Sequence, residues 1–449
     1  MALTGIQIYK MLPKTNCKDC GFPTCLAFAM KLAAKQVELS ACPHVTAESQ
    51  TLLAESAAPP IRLVALKANG HEIKAGNEVV LFRHEKTFYN RPGLFVRVRD
   101  DEPAAAIQAK IKPAEAFKVS YVGIDLTVDG FAVESVTGQA AQMAGAVQAV
   151  RAVSTRPLIL ISHDPTVMAA GLEALPNETP LIYAAAAANW QAMADLAQKH
   201  KAPLAVVGSS LDELADLTEK IKATGVEDLV LDPGTRKFSD SLIRHTQLRR
   251  LALKNTRSLG YPLITFPGDA TLANGDSACE SMLAAQAISR YAGFIVLEQF
   301  TPEMLYPLLV LRQNIYTDPQ KPIQVQPGLY EINGPKPDDP LLVTTNFSIT
   351  YFSVANEVEG SGLPAWLLVT DAEGMSVLTA WAAGKFDAER IAKDVKQFGV
   401  TDKVNRRQMV IPGHVAVISG ELEEELPGWD IRVGPREAVD LPAFIKRAL

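Results

Sequence analysis

Short apolar runs alternate with amphipathic or alanine-rich stretches through most of the chain, and that rhythm sets the expected fold. The runs YVGIDL (121–126), PLILIS (157–162), PLIYA (180–184), PLAVVG (203–208), DLVLD (228–232), PLITF (262–266) and GFIVLE (293–298) each have strand length. Between them lie helical patterns such as GQAAQMAGAVQAVRAVS, LDELADLTEKIKATG and ACESMLAAQAISRY. Apolar strands alternating with helices mean a parallel sheet covered by helices. A β-rich lead-in over 61–100 (IRLVAL, EVVLF, LFVRVRD) supplies one more strand, so the pattern predicts a central (β/α)8, TIM-type barrel.

The rhythm breaks twice. AAPP (57–60) reads as a linker, and so does the stretch 316–340, which holds six prolines. Beyond the second break, LLVT (341–344), WLLVTD (366–371), QMVIPG (408–413) and WDIRVGP (429–435) alternate with helical segments. They predict about four parallel strands in a small Rossmann-like, doubly wound domain. The chain is therefore expected to be multidomain α/β, divided at 1–58, 59–318 and 319–449, with the two linkers as hinges.

Composition narrows the class. Hydrophobic residues make up 48% and charged residues 21%, ordinary for a globular protein. A net charge of -6 argues against nucleic acid as a partner, because phosphate binding wants a basic surface. No apolar run is long enough to span a membrane, and MALTGIQIYKMLPKTN lacks a signal-peptide pattern. A cytoplasmic protein is expected.

The cysteines change the picture most. Four of five lie in the first 42 residues, as C-x2-C-x4-C-x16-C-P: Cys17, Cys20, Cys25 and Cys42, with Pro43 next. In a reducing compartment such a cluster points to a metal site rather than disulfides. Structural zinc usually takes two C-x2-C-like pairs. Three plus one, ending in Cys-Pro, fits a [4Fe-4S] cubane better; zinc and unliganded cysteines remain the alternatives. Gly21 allows a tight loop, and Leu26, Met30, Ala33 and Val37 predict a helix from Leu26 to Leu39. Cys279 is expected to be a small buried residue on a helix. A terminal cluster with no substrate site beside it suggests an electron port.

Barrel chemistry sits after the C-terminal strand ends. Asp125, Ser162, His163, Asp164, Gly208, Asp232, Gly234 and Asp269 are expected there. Asp125 and Asp232 could bind a pterin or a cation, or merely cap helices and hold loops. No catalytic signature stands out. In the C-terminal domain the strand-end rule selects Thr344-Thr345-Asn346, Thr370 to Gly374, Pro412-Gly413-His414 and Val433-Gly434-Pro435. Such small-residue loops suit a large flat ligand with amide or phosphate groups. A dinucleotide is disfavoured, because no G-x-G-x-x-G follows the first strand.

The order of these parts resembles the large (gamma) subunit of corrinoid iron–sulfur proteins of the acetyl-CoA pathway, a family that includes the corresponding subunit of the methanogen acetyl-CoA decarbonylase/synthase complex. The resemblance covers the whole chain. It rests most on CKDCGFPTC with its later CP, and on TNFSITY, LLVTDAEGMSVLTAW and IPGHVAVISGELEE. It implies that Cys17, Cys20, Cys25 and Cys42 ligate a [4Fe-4S] cluster. It implies that loops containing Thr345, Asn346, Thr370, Asp371, Ala372, Glu373, Gly374, Gly413 and Gly434 hold a corrinoid (cobamide). The barrel would pair with that of a smaller subunit in a heterodimer, with the corrinoid between that partner and the C-terminal domain. The chain would be a methyltransferase-type methyl carrier. A separate methyltransferase would pass it the methyl group of methyltetrahydrofolate on Co(I), and the chain would deliver that group to acetyl-CoA synthase/CO dehydrogenase. The cluster would reduce stray Co(II). None of the seven histidines sits in a D-x-H-x-x-G motif, so no protein nitrogen is expected below cobalt. Losing a strong axial donor favours four-coordinate Co(I). His414 is expected to be a rim contact, with cobalt ligation the lesser option. The alternatives are a barrel-type pterin methyltransferase with an accessory cluster and an electron-transfer activator of other corrinoid proteins.

Overall fold

The computed structural model describes residues 5–33, 36–37, 39–46, 49, 59–269, 275–318 and 323–448. The chain forms two compact units. One takes residues up to Phe117 together with Thr127–Tyr316; the other takes Lys118–Leu126 together with Thr317 onwards.

The first unit begins with helices Gly5–Met11 and Cys25–Ala33, which pack on each other. Thr24 caps the second by accepting the Ala27 N–H at 3.0 Å. This helix is shorter than expected. It ends at Ala33, and a 3-10 turn at Leu39–Ala41 leads to Cys42. Residues 34, 35 and 38 lie outside the described residues, as do residues 57–58 of AAPP.

Next come a hairpin, β1 (Val64–Ala68) and β2 (His71–Ala75), and then strand β3 (Gly93–Arg99). A second hairpin, β4 (Val119–Tyr121) and β5 (Ile124–Leu126), belongs to the other unit. Strands β6 (Gly130–Glu134), β7 (Leu158–Ile161), β8 (Leu181–Ala185), β9 (Leu204–Val207), β10 (Leu229–Asp232), β11 (Leu263–Thr265) and β12 (Ala292–Leu297) follow, with helices between them. Strands β3 and β6 to β12 pair in chain order, all parallel, and β12 closes on β3. The predicted eight-stranded barrel is present, but one strand was misplaced. YVGIDL is not a barrel strand: Val122 (φ 50°) and Gly123 (φ 77°) turn the chain back on itself there. The strand is GFAVE, buried over its first four residues.

The barrel interior is solid. Phe95, Ala132, Ile159, Ile161, Leu181, Ala205, Val230, Ile264, Phe294 and Val296 form one cluster, joined by Val64, Leu66 and Ala75 of the first hairpin. Ala75 approaches Gly293, and Ile73 approaches Gly93, near the starts of β12 and β3. The hairpin therefore closes the N-terminal end of the barrel.

The second unit is a five-stranded sheet. Strands β13 (Gly328–Ile332), β14 (Leu341–Thr345), β15 (Ala365–Thr370), β16 (Gln408–Ile411) and β17 (Asp430–Val433) lie in the order β13-β15-β14-β16-β17. The four expected strands are parallel, and β13 is antiparallel on the edge. That strand corrects the reading of 316–340 as linker throughout; residues 319–322 lie outside the described residues. Helices cover both faces. Ile391, Val395 and Leu422 pack against Leu341, Val343 and Leu368, while Ala355, Val358 and Leu441 pack against Leu342, Leu367 and Val369. The chain runs from β14 to β15 on one side and then crosses to β16 on the other. The switch point lies between β14 and β16. Among the described residues no helix is long and apolar enough to cross a membrane.

Candidate functional site

The cysteine segment has three buried or half-buried thiols and one outlier. Cys25 and Cys42 belong to a core with Ile8, Leu12, Phe28 and Val45, and Cys20 packs against it. Cys17 is exposed. Its sulfur, an Asp19 carboxylate oxygen and a His44 ring nitrogen lie within 4.8 Å of one another. His44 pairs with Asp19 at 2.6 Å, and the hydrogen bonds from His44 and Cys17 hold the Asp19 carboxyl below its usual range. Between the helices, Lys14, Asn16, Lys18 and Gly21 all have positive φ. Within this loop the Asn16 N–H donates to Cys25 Sγ at 3.4 Å. Four cysteines around one small apolar core, with a main-chain donor to one thiol, fit a cluster. Cys279 is half-buried rather than buried, on helix Ser277–Ser289.

In the second unit a cavity of about 590 Å³ opens at the switch point. Leu342, Val343 and Thr344 of β14 and Val410 and Ile411 of β16 form its floor. Helix Ser348–Ser361 gives it Ile349, Thr350 and Ser353, and the loop after β17 gives it Gly434, Pro435 and Arg436. The Thr344 hydroxyl is fully buried and has no hydrogen-bond partner. Its lining mixes exposed apolar residues with charged ones: Ile349 is 66% exposed and Val439 65%, Leu378 joins them, and Glu357, His414, Arg436 and Glu437 lie in the same lining. Exposed apolar residues around a cavity with a few polar groups mark a binding surface.

The expected contact residues divide sharply. Gly434 lines the cavity; Thr345, Asn346, Thr370, Asp371, Ala372, Glu373, Gly374 and Gly413 are not among its lining residues. Most of them build the loop after β15. Asn346 is buried, and its Oδ1 accepts the N–H groups of Ala372 at 2.9 Å and Gly374 at 3.0 Å. Its Nδ2 donates to Asp371 at 3.3 Å and Gln324 at 3.4 Å. The Asp371 N–H points to Asp394 on helix Ala388–Gln397, whose carboxyl burial pushes upward in pKa. Glu373 (φ 53°) and Gly374 (φ 72°) make the turn, and Glu373 pairs with Lys385 at 2.7 Å. A Cβ on Gly374 would fall 2.7 Å from Gln324 Cγ. Thr345 is buried with an unpartnered hydroxyl, and Thr370 donates to the Thr344 carbonyl at 3.3 Å. A Cβ on Gly413 would fall 2.5 Å from the Gly434 carbonyl oxygen. His414 lines the cavity 4.0 Å from Glu437. Sequence reasoning missed the helix face of Ile349, Thr350 and Ser353. Its signal was an apolar and a hydroxyl residue one turn apart in FSITYFS, just after the first strand.

The barrel mouth is occupied by the protein itself. Arg97 reaches Glu298 (Nε–Oε2 2.7 Å), Glu134 (3.5 Å) and Asp269. Arg99 joins Glu134 at 3.1 Å and Glu298 at 2.9 Å. Asp232 accepts from Tyr183 at 2.8 Å and from Arg236 at 2.8 and 3.1 Å, and Arg236 lies over the Phe266 ring. Although burial opposes it, pairing with Asp269 and its neighbours raises the Arg97 pKa. Behind them, Glu280 accepts the Glu298 N–H at 2.5 Å, and burial pushes its pKa up to about 7. The remaining expected residues have local duties. Asp164 caps helix Pro165–Glu173, and Ser162 accepts the Asp164 N–H. Gly234 donates its N–H to Asp232. Asp125 is not at the mouth; it pairs with Lys118 in the β4–β5 hairpin.

The family model for the CO dehydrogenase/acetyl-CoA synthase delta subunit matches residues 63–445, and a model for an Fe-S cluster matches residues 12–44. The corrinoid/iron-sulfur protein large subunit of Moorella thermoacetica is 43% identical over 450 residues, covering 100% of both chains. The acetyl-CoA decarbonylase/synthase complex subunit gamma of Methanopyrus kandleri is 36% identical, over 99% of this chain and 98% of its own. A solved dihydropteroate synthase from Xanthomonas albilineans aligns with 57% of this chain and 100% of its own, at 14% identity and a TM-score of 0.40. The end-to-end matches include the cysteine segment that the delta-subunit model leaves out, and this chain belongs to the family of corrinoid/iron-sulfur protein large subunits and acetyl-CoA decarbonylase/synthase gamma subunits.

Proposed function

We propose that this chain is a methyl carrier. It holds a corrinoid in the cavity of the second unit and a [4Fe-4S] cluster on Cys17, Cys20, Cys25 and Cys42. A methyltransferase loads it from methyltetrahydrofolate, and it delivers the methyl group to acetyl-CoA synthase/CO dehydrogenase. A smaller subunit completes a heterodimer. The observation that carries the reading is the cavity of about 590 Å³ at the switch point, floored by β14 and β16 and rimmed by the exposed Ile349 and Val439.

When bound, a corrinoid supplies the cobalt that takes up and releases the methyl group, and the cluster supplies the electron that restores its reactive state. The chain's own residues do the rest. Thr350 offers a hydroxyl from the helix wall of the cavity. Ile349, Leu378 and Val439 exclude water from the ligand edge. Arg436, the fixed cation among the lining residues, pairs with ligand phosphate. Asn346 and Gly374 hold the loop after β15 in one shape, and Gly413 and Gly434 keep backbone close at the rim.

Iron, cobalt and absorption spectra measured on the anaerobically purified complex test the proposal. Roughly four irons per cobalt and a corrinoid spectrum are expected. Iron without cobalt, even after reconstitution with cobamide, would sink it and favour an electron-transfer activator. The ion pairs that fill the barrel mouth weigh against a barrel pterin methyltransferase.

A further inference from the structure

The loop between the first two helices spends conformational strain at Asn16. Its φ is 49°, in the left-handed region where Asn is better tolerated than most side chains. Two contacts result, both to one cysteine. The Asn16 N–H donates to Cys25 Sγ at 3.4 Å, and Asn16 Oδ1 accepts the Cys25 N–H at 2.8 Å. Cys25 opens helix Cys25–Ala33, so its N–H has no partner within the helix. The side chain nine residues upstream supplies one, and in doing so holds the main-chain donor against the sulfur. Cys25 is buried, so the protein rather than water decides what its sulfur meets.

We propose that Asn16 is a positioning residue that tunes the cluster through Cys25, raising its reduction potential and slowing its loss. The inference rests on Cys25 being an iron ligand. Hydrogen bonds to ligand sulfurs are among the levers that set such potentials. An N–H···S bond strengthens as the sulfur gains negative charge, so it favours the reduced cluster. The left-handed backbone directs the N–H, and the side-chain amide locks it. A plain helix cap would stabilise the helix without touching the potential, and that difference separates the two roles.

The test compares Asn16→Ala, Asn16→Gly and Cys25→Ala in the full-length protein with its cluster assembled anaerobically. Midpoint potential, the electron paramagnetic resonance spectrum of the reduced cluster and iron release to a chelator are read. Asn16→Ala is expected to shift the potential negative, alter the spectrum and release iron about five-fold faster, the scale of one hydrogen bond. Asn16→Gly keeps the φ and the N–H donor but loses the lock, so a smaller shift in the same direction is expected. It also serves if the alanine variant assembles poorly. A wild-type potential and spectrum in both variants would overturn the proposal, even if iron release changed. Full iron content with an unaltered spectrum in Cys25→Ala would instead refute the ligand assignment on which it rests.

Discussion

Asn346 makes the sharpest test of how the second unit is built. It is 1% exposed, and its Oδ1 is the acceptor for the Ala372 and Gly374 N–H groups at 2.9 and 3.0 Å. Asn346→Ala leaves two buried donors unsatisfied. Each costs about 1–3 kcal/mol, so the loop loses about 2–6 kcal/mol. That is a large share of a domain's stability, typically about 5–15 kcal/mol. The loop also contains two successive left-handed residues, Glu373 and Gly374, which the bonds help hold in place. The expected result is release of residues 370–376 from their native turn, before the sheet itself unfolds. Hydrogen exchange over that segment is the assay, with urea denaturation for the whole unit and cobalt content for its consequence. Asn346→Asp keeps an acceptor for both N–H groups but sets a carboxylate against Asp371, so it should fall between the alanine variant and wild type. If Asn346→Ala leaves the Ala372 and Gly374 amides as protected as before, the bracing role is wrong.

Other outcomes follow from the same geometry. Thr344→Val should leave the cobamide-free chain unchanged or about 1 kcal/mol more stable, by removing an orphaned hydroxyl. Urea denaturation is the measurement, and a clear loss of stability in the variant would show that the hydroxyl has a partner. Gly413→Ala pushes a methyl to 2.5 Å from the Gly434 carbonyl; it should destabilise the second unit by about 1–3 kcal/mol and lower corrinoid occupancy, read by melting and absorbance. In the barrel, two buried groups oppose each other with pH. Burial raises Glu280 to about 7, so its contribution is full below about pH 4.5 and is lost as pH rises through 7. Burial lowers His245 to about 4, so its contribution is full above about pH 6.5 and is lost as pH falls through 4. Each is worth about 3 kcal/mol, and between pH 4.5 and 6.5 the slopes cancel. Glu280→Gln should expose a rise in barrel stability with pH across that window, and a flat profile in the variant would refute the balance.

How much of this was legible depended on whether local pattern or tertiary context decided the outcome. Seven of the eight barrel strands were visible because continuous apolar runs between helices have few other uses. YVGIDL and GFAVE were confused because both are short and apolar. The Val122-Gly123 turn that makes the first a hairpin is a backbone property, and a valine at positive φ gives no compositional warning. Strand β13 hid among prolines because it sits on a sheet edge, where prolines can flank a strand. The strand-end rule points to the end of the second sheet at which the cavity opens. It could not separate residues that line a cavity from residues that brace its walls. Asn346 looked like a contact because a polar residue after a strand often is one; its partners turn out to be main-chain N–H groups. Helix face Ile349–Ser353 was missed because the rule selects loops.

The barrel shows why fold alone does not assign chemistry. In such folds the C-terminal mouth is where substrates bind, and the sequence placed Asp232 and Asp269 there. Both are present, yet each is taken by an arginine of the same chain. Asp232 is buried, and parting it from its guanidinium to receive a ligand would leave an uncompensated charge, which costs about 3–5 kcal/mol. The apolar hairpin fills the other end, with Val64 and Leu66 in the same core as Phe95 and Phe294. Two cavities lined by barrel residues measure about 20 Å³ each, room for a water molecule, against about 590 Å³ in the second unit. Arg97, Asp232 and Asp269 have found their partners within the barrel, whereas the roomy cavity of the second unit carries Thr350, His414 and Arg436 in its lining. A ligand needs both room and polar groups to meet it, and of these cavities the one at the β14–β16 switch point has both.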